Sequence, residues 1–136
     1  MRVVAGRAKE FRYAVDLTTG GRLTEETGVA LDVAEGWSPE HLLLAALLRC
    51  SLKSLDYHAR RAGNALDDAH GSARALITKR ESDGRYATTE IELALAVRLR
   101  EQPGDDELVS LLMKAERDCF IGASLTVKPT YDWSLL

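Results

Sequence analysis

The chain's longest apolar run lies in residues 38–50, which read SPEHLLLAALLRC. Ser38 can cap a helix, and Pro39 suits the first helical position because the N–H that proline lacks has no partner there. The pattern predicts a helix that ends near Arg61. Residues 42–48 are apolar on all sides, so we expect the first half of this helix to be buried all round.

Strand patterns precede and follow this helix. Residues 11–17 alternate apolar and polar side chains, and a shorter alternation at residues 29–33 repeats the pattern, so both predict half-buried strands. After the helix, residues 73–77 and 90–100 predict the two strands of a long hairpin, and residues 82–84 supply its turn. The second strand of this hairpin has the clearest alternation in the chain.

A short second helix is predicted after the hairpin. Asp105 is its predicted cap, and Ala115 lies on its predicted buried face. Cys119 follows Ala115 by four residues, so this spacing places Cys119 at the end of the same inward face. A final strand, interrupted by Pro129, is predicted over residues 125–133.

The order of elements is strands, long helix, long hairpin, short helix and strand. This order favours an α+β fold with mostly antiparallel pairing over a parallel α/β sheet. The sequence contains no linker, repeat or low-complexity segment, so we predict one domain over residues 1–136. A helix that is apolar all round needs more cover than one sheet provides in so small a domain, and we therefore predict a homodimer.

Composition narrows the classes of function. The formal net charge is −3, with acidic and basic residues interspersed, so we do not expect a nucleic-acid partner. The N-terminal residues lack the apolar core of a signal peptide, and the longest apolar run is too short to cross a membrane. We therefore expect a cytoplasmic protein without a membrane partner. In that reducing compartment a cysteine pair is more often transient or catalytic than a structural disulfide.

The thiol inventory consists of Cys50, in the middle of the long helix, and Cys119. Two cysteines on separate helices predict a redox couple, although both side chains can also serve as small buried hydrophobes. The histidines lack metal-ligand spacing, so we predict surface positions for them and no metal site. They are His41, His58 and His70.

Two short motifs resemble those of a known family. The first is Ser38-Pro39-Glu40, followed by two leucines, an alanine-rich run and Cys50 ten residues after Glu40. The second is Lys114-Ala115-Glu116, followed by Cys119 three residues later. Both motifs, and the order of elements over nearly the whole chain, resemble the OsmC/Ohr family of thiol-dependent peroxidases.

The resemblance implies both a fold and a chemistry. The fold is an intertwined homodimer in which antiparallel sheets enclose long central helices. The activity is the reduction of organic hydroperoxides or hydrogen peroxide by a Cys50 thiolate, which becomes a sulfenic acid and then forms a disulfide with Cys119. An external dithiol reductant resets the pair, and no cofactor is needed.

The resemblance also implies an arginine that pairs with Glu40 and steadies the thiolate. Arg22 is the best candidate, with Arg7 and Arg12 as alternatives. The chain departs from the family pattern at two neighbours of the cysteines, where it has Arg49 before Cys50 and Phe120 after Cys119. Arg49 either lowers the pKa of Cys50 through space or reaches solvent or an acidic partner at a dimer interface.

The length of the long helix limits which residues Glu40 can contact. A carboxylate in the first helical turn can simply complement the helix dipole. Ten residues of helix separate Glu40 from Cys50 by about 15 Å, so the two cannot meet within one straight helix. Two antiparallel copies that cross near Ala45 would place each Glu40 beside the partner's Cys50. We therefore predict that Glu40 serves the thiol of the other subunit.

Two other functions fit the same residues. One is a non-catalytic homodimeric domain that binds a small apolar ligand beside a buried thiol. The other is a redox sensor that forms the same disulfide without significant turnover.

Overall fold

A computed structural model of the protein describes residues 8–32 and 36–136. The chain divides into two compact units, with the boundary between Ser38 and Pro39. The N-terminal unit contains β1 (Val15–Leu17), β2 (Leu23–Glu25) and β3 (Ala30–Leu31). The second unit contains α1 (Pro39–Arg61), β4 (Leu66–Lys79), β5 (Tyr86–Leu99), α2 (Asp105–Arg117), α3 (Phe120–Ala123) and β6 (Thr130–Leu135). The prediction of a single domain over residues 1–136 stays a prediction.

The N-terminal unit is a small antiparallel sheet in the order β1-β2-β3. The strand predicted over residues 11–17 is only three residues long, and its apolar side chains are exposed, as Phe11 at 60% and Val15 at 66% show. The predicted half burial is therefore absent, because strands of two or three residues bury little surface against one another. Val33, from the second predicted strand, lies outside the described residues.

Helix α1 has the predicted bounds. It runs without a break from Pro39 to Arg61, and the chain leaves it through Gly63, whose φ of +79° favours glycine. Its fully buried face is a row at four-residue spacing. Apart from Leu47, the leucines and alanines of its first half are only half-buried, so the predicted all-round burial is not reached within the single chain. The row consists of Leu47, Ser51, Leu55 and Ala59.

The hairpin of β4 and β5 supplies the sheet on which α1 packs. Alternate residues of β5 are almost fully buried, as the sequence predicts: Ile91, Leu93, Leu95, Val97 and Leu99. Gly71 of β4 lies opposite Leu95, and a Cβ at that position would clash with the Ala94 carbonyl oxygen. Only glycine therefore permits this close approach of the two strands.

The connection from β5 to β6 departs from the sequence prediction in two ways. β6 pairs with β5 in parallel, because the chain crosses back through α2 and α3 before it enters the sheet. The predicted cap of α2, Asp105, is instead its first helical residue. Gly104 holds the cap position, so no side chain caps this helix. At the first helical position the charge of Asp105 still complements the helix dipole.

Candidate thiol site

Cys50 lies on α1 beside the buried row and is half-buried. Its sulfur accepts a hydrogen bond from the backbone N–H of Ile121, at an N···Sγ distance of 3.5 Å. Ile121 belongs to α3, so the crossover between α2 and β6 brings a backbone donor to the thiol. An N–H aimed at sulfur stabilises the thiolate form.

Cys119 lies between α2 and α3 and is fully buried. The predicted continuation of the α2 face is wrong, because α2 ends at Arg117 and Cys119 instead caps the next short helix. Its sulfur accepts the N–H of Gly122 at 3.4 Å. Cys119 nevertheless points inward, where it packs in a cluster with Leu47 and the buried residues of β5.

The two thiols share one environment. Consecutive amides, those of Ile121 and Gly122, donate to Cys50 and Cys119 respectively. Burial is the main effect on Cys50 and raises its pKa; the Ile121 N–H lowers the pKa, and hydrogen bonding and charge at Cys119 raise it further. The net direction is upward, opposite to the effect that the sequence allowed for Arg49, whose side chain is exposed.

Two hydroxyl groups complete the surroundings of Cys119. Ser51 Oγ lies 3.8 Å from Cys119 Sγ, 2.9 Å from Tyr131 Oη and 2.8 Å from the Leu47 carbonyl oxygen. Neither hydroxyl was predicted from the sequence to belong to the site. The available signal for Ser51 was its place in an otherwise apolar row at four-residue spacing, since buried hydroxyls require partners.

Tyr131 stacks on Trp133 of β6, which in turn is hydrogen-bonded to α2. Its ring stacks on Trp133, with centroids 5.5 Å apart, and the indole N–H of Trp133 donates to Glu116. Burial raises the pKa of Tyr131 to about 12, although the hydrogen bond with Ser51 lowers it and the charges at Cys119 and Glu116 add to the rise. The phenol is therefore a neutral hydroxyl at physiological pH.

An ion-pair cluster adjoins Cys119 in sequence. Asp118 Oδ2 lies 2.7 Å from His58 Nε2 and 2.9 Å from Arg117. Hydrogen bonding to Arg117 and then to His58 lowers the Asp118 pKa to about 2 against a smaller opposing effect of desolvation. The predicted surface position of His58 is wrong, because its side chain is 12% exposed and links α1 to the end of α2. His41 and His70 are exposed, as predicted.

The other predicted site residues lie in different units. Arg22 precedes β2 in the N-terminal unit, where its Nε lies 3.4 Å from Asp32 Oδ1. Arg12 forms an exposed ion pair with Glu10 in the same unit. Glu40 opens α1, and because the helix is continuous, about 15 Å of helix separates it from Cys50. Arg7 lies outside the described residues, and the pairing of Arg22 with Glu40 stays a prediction.

In the described part of the chain, the histidine, cysteine, aspartate and glutamate side chains form no group of three or more that could hold a metal ion. Among the described helices, none combines the length and apolarity that crossing a membrane requires.

Known proteins share this architecture. An OsmC-like protein of unknown function from Vibrio cholerae superimposes with a TM-score of 0.78 at 15% identity, over 91% of this chain and 99% of its own. The organic hydroperoxide resistance protein OhrB of Bacillus subtilis gives 0.60 at 20% identity, over 93% and 98%. An organic hydroperoxide resistance protein from Elizabethkingia anophelis gives 0.68 at 19% identity, over 96% and 100%. At these identities the likeness establishes the fold.

The family assignment comes from the sequence. No curated protein matches the chain. The model of the OsmC-like protein family, however, matches residues 32–134, which include α1, both cysteines and nearly all of β6. The match covers most of the chain and agrees with the α+β architecture. The protein therefore belongs to the family of OsmC-like proteins.

Proposed function

We propose that the protein is a thiol-dependent peroxidase that reduces organic hydroperoxides or hydrogen peroxide. The observation that carries the proposal is the shared environment of the two thiols, in which consecutive amides donate to Cys50 and Cys119. One of the thiols is half-buried and the other fully buried. An oxidant therefore reaches Cys50 first, and Cys119 is held ready beside it.

The proposed reaction has two steps at sulfur. In the first, the Cys50 thiolate attacks the outer oxygen of the hydroperoxide; the O–O bond breaks, the alcohol leaves with a proton, and Cys50 becomes a sulfenic acid. In the second, Cys119 attacks the sulfur of Cys50, an S–S bond forms, and water leaves. An external dithiol then reduces the disulfide by thiol–disulfide exchange.

Burial raises the pKa of Cys50 in the single chain, and no positively charged group of residues 8–32 or 36–136 is among the causes that act on this thiol there. A reactive cysteine needs positive charge or hydrogen-bond donors that favour its thiolate. In the proposed homodimer, Glu40 of one subunit lies beside Cys50 of the other, and Arg22 pairs with that glutamate. Such a dimer also covers the half-buried first half of α1. We propose the cytoplasm as the compartment, because its dithiol systems keep the pair reduced.

A peroxide-consumption assay tests this function. Wild-type protein with a dithiol reductant is compared with Cys50→Ser and Cys119→Ser, using cumene hydroperoxide and hydrogen peroxide in parallel. We expect Cys50→Ser to consume no peroxide above background. With the dithiol present, Cys119→Ser should consume a first equivalent and then turn over more slowly than wild type, because its sulfenic acid has no resolving thiol in the same chain. Equal consumption by wild type and Cys50→Ser would exclude the proposed peroxidase.

The same assay separates a second candidate, a redox sensor. The shared environment of the two thiols also favours this candidate, because a disulfide can form there without repeated turnover. A sensor would form the Cys50–Cys119 disulfide stoichiometrically but would consume little peroxide beyond that first event.

A further inference from the structure

The proposed reaction uses two sulfurs, yet the site contains two hydroxyls that it does not explain. Ser51 is fully buried on α1, and its oxygen contacts Cys119 Sγ, Tyr131 Oη and the Leu47 carbonyl oxygen. Tyr131 approaches the same oxygen from β6. Ser51 is therefore the point at which α1, β6 and the resolving thiol meet.

Because Ser51 has a single proton, the donor and acceptor of each of these hydrogen bonds can be assigned. A carbonyl oxygen only accepts, so the single proton of Ser51 is donated to Leu47. Ser51 Oγ must then accept from both other neighbours: from the Tyr131 O–H at 2.9 Å and from the Cys119 S–H at 3.8 Å. The reduced thiol of Cys119 thus points its hydrogen at Ser51 and receives the Gly122 N–H on a lone pair.

We propose that Ser51 acts directly on Cys119: its oxygen accepts a hydrogen bond from the thiol in the reduced protein and, after rotation about the Cβ–Oγ bond, its O–H donates a hydrogen bond to the Cys119 sulfur as that sulfur attacks Cys50. Tyr131 is the positioning residue, since its O–H holds the Ser51 oxygen in place. This inference rests on the proposed function for its physiological step.

Rotation of the Ser51 hydroxyl becomes favourable when Cys119 loses its proton. As Cys119 gives up its proton, its sulfur becomes anionic in a fully buried position, where Gly122 is its existing backbone donor. A hydrogen bond to a charged group is about twice as strong as a neutral one, and S–H is a weak donor. Donation from Ser51 to the anionic sulfur therefore outweighs its neutral bond with Leu47, and loss of the hydroxyl slows the attack.

The step balances without a further reagent. When Cys119 attacks the Cys50 sulfenic acid, the S–H bond of Cys119 and the S–O bond of Cys50 break and one S–S bond forms. The proton of Cys119 and the hydroxide of the sulfenic acid leave together as water. Ser51 and Tyr131 keep their own protons throughout, because they only donate and accept hydrogen bonds.

The test isolates the attack of Cys119 from the reaction with peroxide. One equivalent of methyl methanethiosulfonate converts Cys50 to a methyl mixed disulfide. Cys119 then attacks the Cys50 sulfur, methanethiol leaves, and the Cys50–Cys119 disulfide remains. Acid quenching and intact mass measurement follow this closure as a function of pH. The same variants are oxidised in parallel with one equivalent of cumene hydroperoxide.

Ser51→Ala is compared with a matched control, Ser54→Ala. Ser54 is also buried on α1, and its Oγ has no hydrogen-bond partner among the described residues. We expect Ser51→Ala to close about tenfold more slowly at neutral pH, as the loss of one charge-assisted hydrogen bond implies. The pH of half-maximal closure should also rise. Ser54→Ala should close within about twofold of wild type, because it removes no hydrogen bond.

Each outcome bears on the inference. Equal closure rates and pH profiles in Ser51→Ala and Ser54→Ala would overturn it, as would equal slowing of both, which is the signature of a packing defect. Should cumene hydroperoxide fail to oxidise Cys50 while closure from the mixed disulfide still depends on Ser51, the peroxidase function falls and the role of Ser51 stands.

Tyr131→Phe provides a second variant that keeps the stack with Trp133. It removes the donor to Ser51 and leaves the serine hydroxyl in place. We expect closure to slow in the same direction as in Ser51→Ala, by a smaller factor. If Ser51→Ala does not fold, closure at the wild-type rate in Tyr131→Phe at every pH overturns the proposal.

Discussion

The backbone amide of Ile121 donates its N–H to the sulfur of Cys50 at 3.5 Å, although the two residues are 71 positions apart. Because the donor belongs to the backbone, most substitutions at Ile121 preserve it. Proline removes the N–H, and Ile121 is the second residue of α3, where that N–H has no partner within the helix. The contribution of this hydrogen bond can therefore be measured separately from that of the isoleucine side chain.

Ile121→Pro should raise the pKa of Cys50 further, because the N–H that stabilises its thiolate is lost. Ile121→Ala is the matched control, which keeps the amide and removes the side chain. The measurement is the rate of Cys50 alkylation by iodoacetamide against pH in a Cys119→Ser background. Identical alkylation profiles for the proline and alanine variants would show that the amide has no influence on the thiol.

Mild oxidation should form an intramolecular disulfide between Cys50 and Cys119. The two sulfurs already accept hydrogen bonds from neighbouring amides. A disulfide requires a Cα–Cα separation of about 4.4–6.8 Å, which local movement of the segment between α2 and α3 can provide. Peptide mass spectrometry after one equivalent of hydroperoxide detects the bond. Over-oxidised Cys50 alongside reduced Cys119 would contradict the resolving role.

Unfolding should depend on protein concentration. Five apolar residues at the start of α1, from Leu42 to Ala46, are only half-buried in the single chain, and full burial of each leucine contributes roughly 1.5–3 kcal/mol. If a second subunit covers them, dissociation and unfolding become one event, and the urea midpoint rises with concentration. Analytical ultracentrifugation gives the independent check, and a folded monomer with a constant midpoint would refute the dimer.

Activity should return when two inactive variants exchange subunits. The unbroken α1 keeps Glu40 and Cys50 about 15 Å apart within one chain. In a heterodimer of Glu40→Gln and Cys50→Ser, a composite site of the proposed kind regains both residues while the other site loses both. The peroxide-consumption rate of the mixture should then approach about half of the wild-type rate per heterodimer. Demonstrated exchange without recovery would place the two residues in the same site or deny Glu40 a role.

Acid should destabilise the protein partly through Asp118. Its pKa of about 2 in the folded protein lies below the ordinary value of 3.8, so its contribution to stability is present above the ordinary pKa and is lost as pH falls toward 2. Asp118→Asn should therefore lose less unfolding free energy than wild type between about pH 5 and pH 2. Urea unfolding at several pH values measures this, with the exposed Asp132→Asn as control. Parallel curves for wild type and Asp118→Asn would show that the ion pairs with Arg117 and His58 do not stabilise the fold.

The sequence predicted best those helices and strands whose bounds and buried faces are determined by nearby residues. Pro39 and the apolar run set the start of α1, and the glycine at position 63 marks its end. Strict alternation predicted β5, whose inward residues are almost fully buried. Residues 11–17 have the same alternation, but only three of them form a strand, and these three are exposed. Alternation alone does not bury a strand, because burial depends on what packs against it.

The site was less predictable than the fold. Helical spacing placed Cys119 on the face of α2, whereas the helix ends earlier and Cys119 caps α3. The motif resemblance, rather than periodicity, paired it with Cys50. Ser51 and Tyr131 lie 80 positions apart, and their contact exists only because β6 enters the sheet parallel to β5. No local signal encodes such a tertiary contact.

The parallel entry of β6 has a consequence for biosynthesis. β6 follows every other described element in the chain, and it carries Tyr131. A ribosome must therefore synthesise all of the hairpin, the crossover and β6 before Ser51 receives its hydrogen bond and the segment that carries Cys119 is anchored at both ends. During translation the two cysteines therefore belong to an incomplete chain, and the contact between Ser51 and Tyr131 forms only when the last strand docks.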